Sequence, residues 1–167
     1  MFLLLWVNQM IWTSFVIPGA ATWLIQLLFV DFLSIGTIRP DFLVILVLYW
    51  SVKYGRTVGI VSGFLIGLLI DLSGGASFFG LSPLIYSISG YLGGYLSGQY
   101  SRLNPIYFTV SWIAILAFQF LIFCTIQYQD IWLLNPQIFW GKWFGTTLYT
   151  VSFTGIFQVV FPLHKLS

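Results

Sequence analysis

The chain has 167 residues, a net charge of +2, and 59% hydrophobic against only 6% charged side chains, with a mean hydropathy of +0.98. A soluble domain carries about 25% charged residues, so composition excludes one and points to an integral membrane protein. The charge is too small and too dispersed for a nucleic-acid surface. The continuous apolar runs lack the alternation of barrel strands, leaving an all-α polytopic membrane protein as the expected class, one transmembrane domain over 1–167.

The first 17 residues, MFLLLWVNQMIWTSFVI, are apolar like the core of a signal peptide, but no Lys or Arg precedes them and Pro18-Gly19 follows. Retention rather than cleavage is expected. Pro18-Gly19 leaves too tight a connection for two antiparallel spans, so the spacing predicts one long first helix kinked there. Its span runs over 12–33, with Asn8 and Gln9 near the surface.

The second and third spans, 41–54 and 57–72, are short. Between Asp41 and Lys53 lie 11 uncharged residues, about 16 Å of helix against a hydrocarbon core of about 30 Å. Their ends must snorkel, thin the bilayer or be covered by other helices. In GRTVGIVSGFLIGLLIDLSGG, Gly55, Gly59, Gly63 and Gly67 recur at every fourth position and Asp71 takes the next step. Residues without side chains let helix backbones approach closely, so the stripe reads either as internal packing or as a docking face for another protein's membrane helix. Each four-residue step drifts by about 40°. Gly55 therefore belongs to the turn KYGR, and Gly59, Gly63, Gly67 and Asp71 share one contact region. Asp71 needs either solvent or a partner. The candidates are backbone N–H groups of the following glycine-rich turn, Arg39, or another protein.

A fourth span over 81–100 repeats the spacing at Gly90, Gly94 and Gly98. The fifth, 106–128, holds the sole cysteine, Cys124, which is expected to pack, and the sixth runs over 138–161. With six spans the loops alternate sides. Lys53, Arg56, Arg102 and Lys165 then share the side of both termini, and Arg39 and Lys142 lie opposite, so the positive-inside rule places the termini in the cytoplasm. The four acidic residues, Asp31, Asp41, Asp71 and Asp130, all fall at outer ends. Trp50, Tyr54 and Tyr100 at inner ends, and Tyr128, Trp132, Trp140 and Trp143 at outer ends, fit two aromatic belts.

Catalytic constellations are not apparent. Glutamate is absent, His164 is the single histidine and reads with Lys165 as a juxtamembrane cation pair, and no ligand spacing for a metal occurs. No cofactor is implied. The glycines sit at helical spacing without the GK[ST] of a phosphate loop. The outer aspartates leave open a vestibule for a cation or basic solute.

At IRPDFLVILVLYW followed by GFLIGLLIDLSGG the sequence resembles the MreD family of rod shape-determining proteins. The matching residues are Gln26, the pair Pro40-Asp41, and the run from Gly63-Phe64 through Gly67 to Asp71. Further matches are the turn through Gly80, Gly90-Tyr91-Leu92, and Pro162. The sequence departs from the family pattern before residue 20 and at Ser82-Pro83. The resemblance implies a non-enzymatic inner-membrane subunit of the bacterial cell-elongation machinery, which builds peptidoglycan. Such proteins work among membrane lipids beside the bitopic MreC, with MreB, RodZ, a RodA-type glycosyltransferase and a penicillin-binding transpeptidase. It also implies a six-helix bundle similar to the substrate-binding components of energy-coupling-factor vitamin transporters.

Three functions compete on these readings. The first is a membrane scaffold that docks the MreC-type helix through glycine faces. The second is a solute-binding transporter component, although the AxxxA pattern by which those components dock is missing, since Leu24 and Ile25 follow Ala20 and Ala21 by four residues. The third, an intramembrane enzyme acting on a lipid-linked precursor, has only the aspartates in its favour.

Overall fold

A computed structural model describes residues 12–160 apart from 35, 37, 75–77 and 100–104. The expectations for Asn8, Gln9, Gly75, Tyr100, Arg102, Pro162, His164 and Lys165 lie outside the described residues. All regular elements among the described residues are helical. A π turn over Trp12–Val16 leads into α1, Ile17–Phe29. There follow α2, Phe42–Tyr54, α3, Arg56–Leu72, and α4, Leu81–Gly93, which tightens into a 3-10 turn over Gly94–Leu96. The chain continues with α5, Pro105–Gln127, the short α6, Gln129–Leu134, and α7, Pro136–Val160.

Local chemistry sets the boundaries. Pro18 enters at the first turn of α1 and cannot donate to the carbonyl of Ser14 four residues back. That carbonyl instead accepts from Trp50 Nε1 of α2 at 3.1 Å. A π turn thus precedes Pro18, and the released acceptor of Ser14 ties this segment to α2. Gly55, at φ +89°, separates α2 from α3, a backbone position that favours glycine. Pro105 and Pro136 open α5 and α7, where a missing N–H costs nothing.

The short α2 is the hub. Phe42 to Leu48 are all buried, with Val44, Val47 and Leu48 at 0% exposure. A helix apolar on every side belongs inside a bundle, and α1, α3, α4 and α7 all pack on it. Its neighbours cover its length from Phe42 to Leu48, while Lys53 at its far end stays exposed. Among the described residues one helix, Ile106–Gln127, is by itself long and apolar enough to cross a membrane.

One sequence expectation changes: the fourth predicted segment does not stay helical to its end, because Gly93-Gly94 weakens helix propensity and the chain turns there. The connection after the fifth segment carries the short helix α6.

Candidate functional site

The glycines of α3 lie against α4. A Cβ at Gly59 would fall 2.5 Å from both the Gly90 carbonyl oxygen and Ser51 Oγ. One at Gly63 would strike the Tyr86 carbonyl, one at Gly67 the backbone of Pro83, and one at Gly90 the backbone of Gly59. Ser51 of α2 donates to the Gly90 carbonyl, so three helices meet where α3 and α4 touch backbone to backbone. Pro83 is tolerated because it stands in the first turn of α4. The α3 seam is filled from within the chain, and a partner helix docking there would have to displace α4.

The second stripe does not persist as a helix face. Gly90 lies on α4, Gly94 sits in the 3-10 turn against the backbone of Arg56, and Gly98 occupies a turn at φ +69°. Gly93, absent from that stripe, is a further close-contact glycine beside Gly90 and Gly94, its Cβ position lying 2.8 Å from Leu48 Cδ2. Gly55 and Gly98 both serve turns, with open space around them. Arg56 stacks its guanidinium over the Tyr95 ring, 3.7 Å from the centroid.

A polar node holds the other end of α2. Asp41 caps this helix, Oδ1 accepting from the N–H groups of Leu43 and Val44 at 3.1 Å each. Its Oδ2 accepts from the Tyr86 hydroxyl of α4. Gln26 of α1 accepts the Phe42 N–H at 2.9 Å and donates to the Pro40 carbonyl at 3.3 Å. The Asp41 N–H reaches Thr150 Oγ1 of α7 at 3.3 Å. Gln26, Pro40 and Asp41 thus knit three helices, α1, α4 and α7, to the start of α2. Sequence reading singled out these three but not Tyr86 or Thr150, whose positions carry no local signal of a shared partner.

Asp71 is 8% exposed at the end of α3, and its Oδ2 accepts the Gly80 N–H at 2.5 Å. Gly80 has φ +94° and immediately precedes α4, so the carboxylate lies at the positive end of that helix dipole. Of the partners considered for Asp71, the backbone of the following turn is the one in place. Arg39 pairs instead with Asp31 at 3.4 Å, both side chains largely exposed. Asp130 is exposed in the first turn of α6, and Phe64 is half exposed on α3. Two of the four aspartates therefore fasten helix ends and two face outward. No group of three His, Cys, Asp or Glu side chains among the described residues is placed to hold a metal ion.

Beyond α6 the rings of Trp132, Phe139, Trp140 and Trp143 stack edge to face, with centroids 4.7 to 5.7 Å apart. Lys142 Nζ lies 4.2 Å from the Tyr128 ring centroid, and Trp143 Nε1 donates to the Ala117 carbonyl at 2.9 Å. This girdle fastens α5, α6 and α7 together. The site as a whole positions helices: Asp41 engages backbone and hydroxyl groups with both oxygens, while Asp71 uses Oδ2 on the Gly80 N–H and keeps Oδ1 buried without a hydrogen-bond partner among the described residues.

A helical bundle with an apolar exterior, internal glycine seams and carboxylates at helix ends defines a membrane protein of the helical class. The family described as rod shape-determining protein MreD matches residues 2–163. The chain belongs to this family, membrane proteins of the cell envelope that act in rod shape determination as structural components. Membership implies involvement in the shape-determining complex with MreC-type proteins. No curated protein and no solved structure matches the chain.

Proposed function

We propose that the chain is a non-enzymatic scaffold of the cell-elongation complex that crosses the inner membrane six times and holds the membrane helix of an MreC-type partner. RodA-type glycosyltransferase, penicillin-binding transpeptidase, MreB and RodZ assemble around this pair. The glycine seam serves docking indirectly, by interlocking α2, α3 and α4 into a rigid platform. The observation that supports a docking role is on α7. Gly141, Phe144, Leu148, Ser152 and Gly155 follow one another at helical spacing and all are exposed. A Cβ at Gly141 or Gly155 would meet nothing, so this small-and-apolar face is open where the α3 face is filled.

Single cysteines at Phe144, Leu148 and Ser152, in a Cys124→Ser background, test the face by oxidative crosslinking to cysteines in the partner's membrane helix. Crosslinks at these positions and none at Thr147 or Thr154 are expected. Equal crosslinking all round α7, or none on it, removes this face from the proposal. The bundle is read as similar to the vitamin-binding transporter components, but as scaffold rather than carrier. A vitamin that raised the melting temperature of the purified protein by several degrees would reverse that ranking.

A further inference from the structure

A groove of about 620 Å³ runs along the flank of the bundle between α1, α2 and α3. Phe15 and Trp23, Trp50 of α2, and Val61, Leu65 and Leu69 of α3 line it. The last three remain 53%, 54% and 42% exposed, so the groove is open sideways. It follows α3 from Thr57 to Ile70, about 20 Å of helical rise. Two polar groups along it are turned to the chain itself, Ser62 donating to the Gly59 carbonyl and Trp50 to that of Ser14, and Thr57 is exposed at one end.

The Thr57 end has a different character. The Phe15 ring packs on Trp50 and Tyr54, with centroids 5.3 and 4.9 Å apart. Lys53 Nζ lies 5.1 Å from the Tyr54 ring centroid and 5.7 Å from that of Tyr49. The ion pair among the described residues is Arg39 with Asp31, so no described carboxylate neutralises Lys53, which is exposed.

We infer that this groove holds an acyl chain of an anionic phospholipid drawn from the bilayer, with its phosphate at Lys53. The volume lies in the range of small-ligand sites, about 300–1,000 Å³, and the length covers the tail depth of one leaflet in a core of about 30 Å. The almost wholly apolar lining suits a hydrocarbon chain rather than a polar solute, while an interfacial ring cluster beside a lysine that no described carboxylate pairs complements a phosphate. The inference rests on the membrane location of the family and stands whether or not a partner docks on α7.

Native mass spectrometry of the full chain in detergent tests it, with dioleoyl phosphatidylglycerol and dioleoyl phosphatidylcholine offered in equal amounts. One retained phosphatidylglycerol, preferred several-fold over phosphatidylcholine, is expected. Leu65→Trp, at an exposed position, fills the groove and lowers retention at least tenfold; Val61→Trp does the same should Leu65→Trp lower the melting temperature. Lys53→Gln keeps lipid retention but brings the preference close to one. Unchanged retention in a folded groove variant, or equal binding of the two lipids by the unaltered chain, overturns the inference. So does a groove variant that releases an MreC-type helix while keeping its lipid.

Discussion

Gly63 and Gly141 are both helical glycines in apolar sequence, yet their surroundings differ completely. At Gly63 a methyl group meets the Tyr86 carbonyl, an atom of backbone that cannot swing aside. Gly63→Ala is therefore expected to cost at least the roughly 1–3 kcal/mol of an overpacked core. Gly141→Ala, in open space, should be neutral or stabilising by up to about 1 kcal/mol through helix propensity. Thermal unfolding followed by size exclusion in detergent separates the two, and equal melting temperatures would mean that the α3 and α4 backbones do not touch.

The polar node yields a second test at the same scale. Tyr86→Phe removes the donor to Asp41 Oδ2 and should cost about 1–3 kcal/mol, as for a buried acceptor left unmet. Asp41→Asn retains a competent helix cap whereas Asp41→Ala does not, a difference of about 0.5–2 kcal/mol. Melting temperatures should fall in the order unaltered, Asn, Ala. Coincident Asn and Ala values would show that the cap contributes nothing.

Among elements, α2 and α7 behave oppositely. The 13-residue α2 is buried from Phe42 to Leu48 and depends on Asp41 at one end and Gly55 at the other. The longer α7 buries Thr147, Thr150 and Thr154 and exposes Leu148 and Ser152. An Arg on the buried face of α7 should unfold the protein, since an unpaired charge inside a bundle is strongly unfavourable. Leu148→Arg should instead leave the melting temperature within a degree or two in detergent while abolishing co-purification of the MreC-type partner. If Leu148→Arg leaves the complex intact, the docking face lies elsewhere. The extent of α4 and the presence of α6 were less legible than these long helices. Propensity alone does not say whether Gly93-Gly94 packs within a helix or ends it, or whether a six-residue segment such as Gln129–Leu134 coils.

At the scale of the molecule, the proposed topology sets Lys53 and Arg56 at the cytoplasmic ends of spans and Asp31, Asp41, Asp71 and Asp130 at the outer ends. The proposed topology makes a cysteine at Lys53 reactive only from the cytoplasm and one at Asp130 only from outside, each in a Cys124→Ser background. Impermeant maleimide labelling of whole cells reads this directly, and labelling of Lys53→Cys from outside would invert the proposed orientation.

Composition and periodicity were sufficient for the helical class, the positions of the long helices and the turn at Gly55, because each depends on residue type and order along the chain; the family was legible in the resemblance carried by IRPDFLVILVLYW and GFLIGLLIDLSGG. The polar trio Gln26, Pro40 and Asp41 was visible as a motif, but its purpose was not. Which face meets which depends on which helices become neighbours, and that is set by the packing of the whole bundle. Only tertiary structure decided that the α3 glycines close on α4, that Asp71 holds the Gly80 N–H, and that Tyr86 and Thr150 complete the node around Asp41. The glycine stripe looked identical as an inner seam and as an outer docking face, because a missing side chain carries no information about what comes near it.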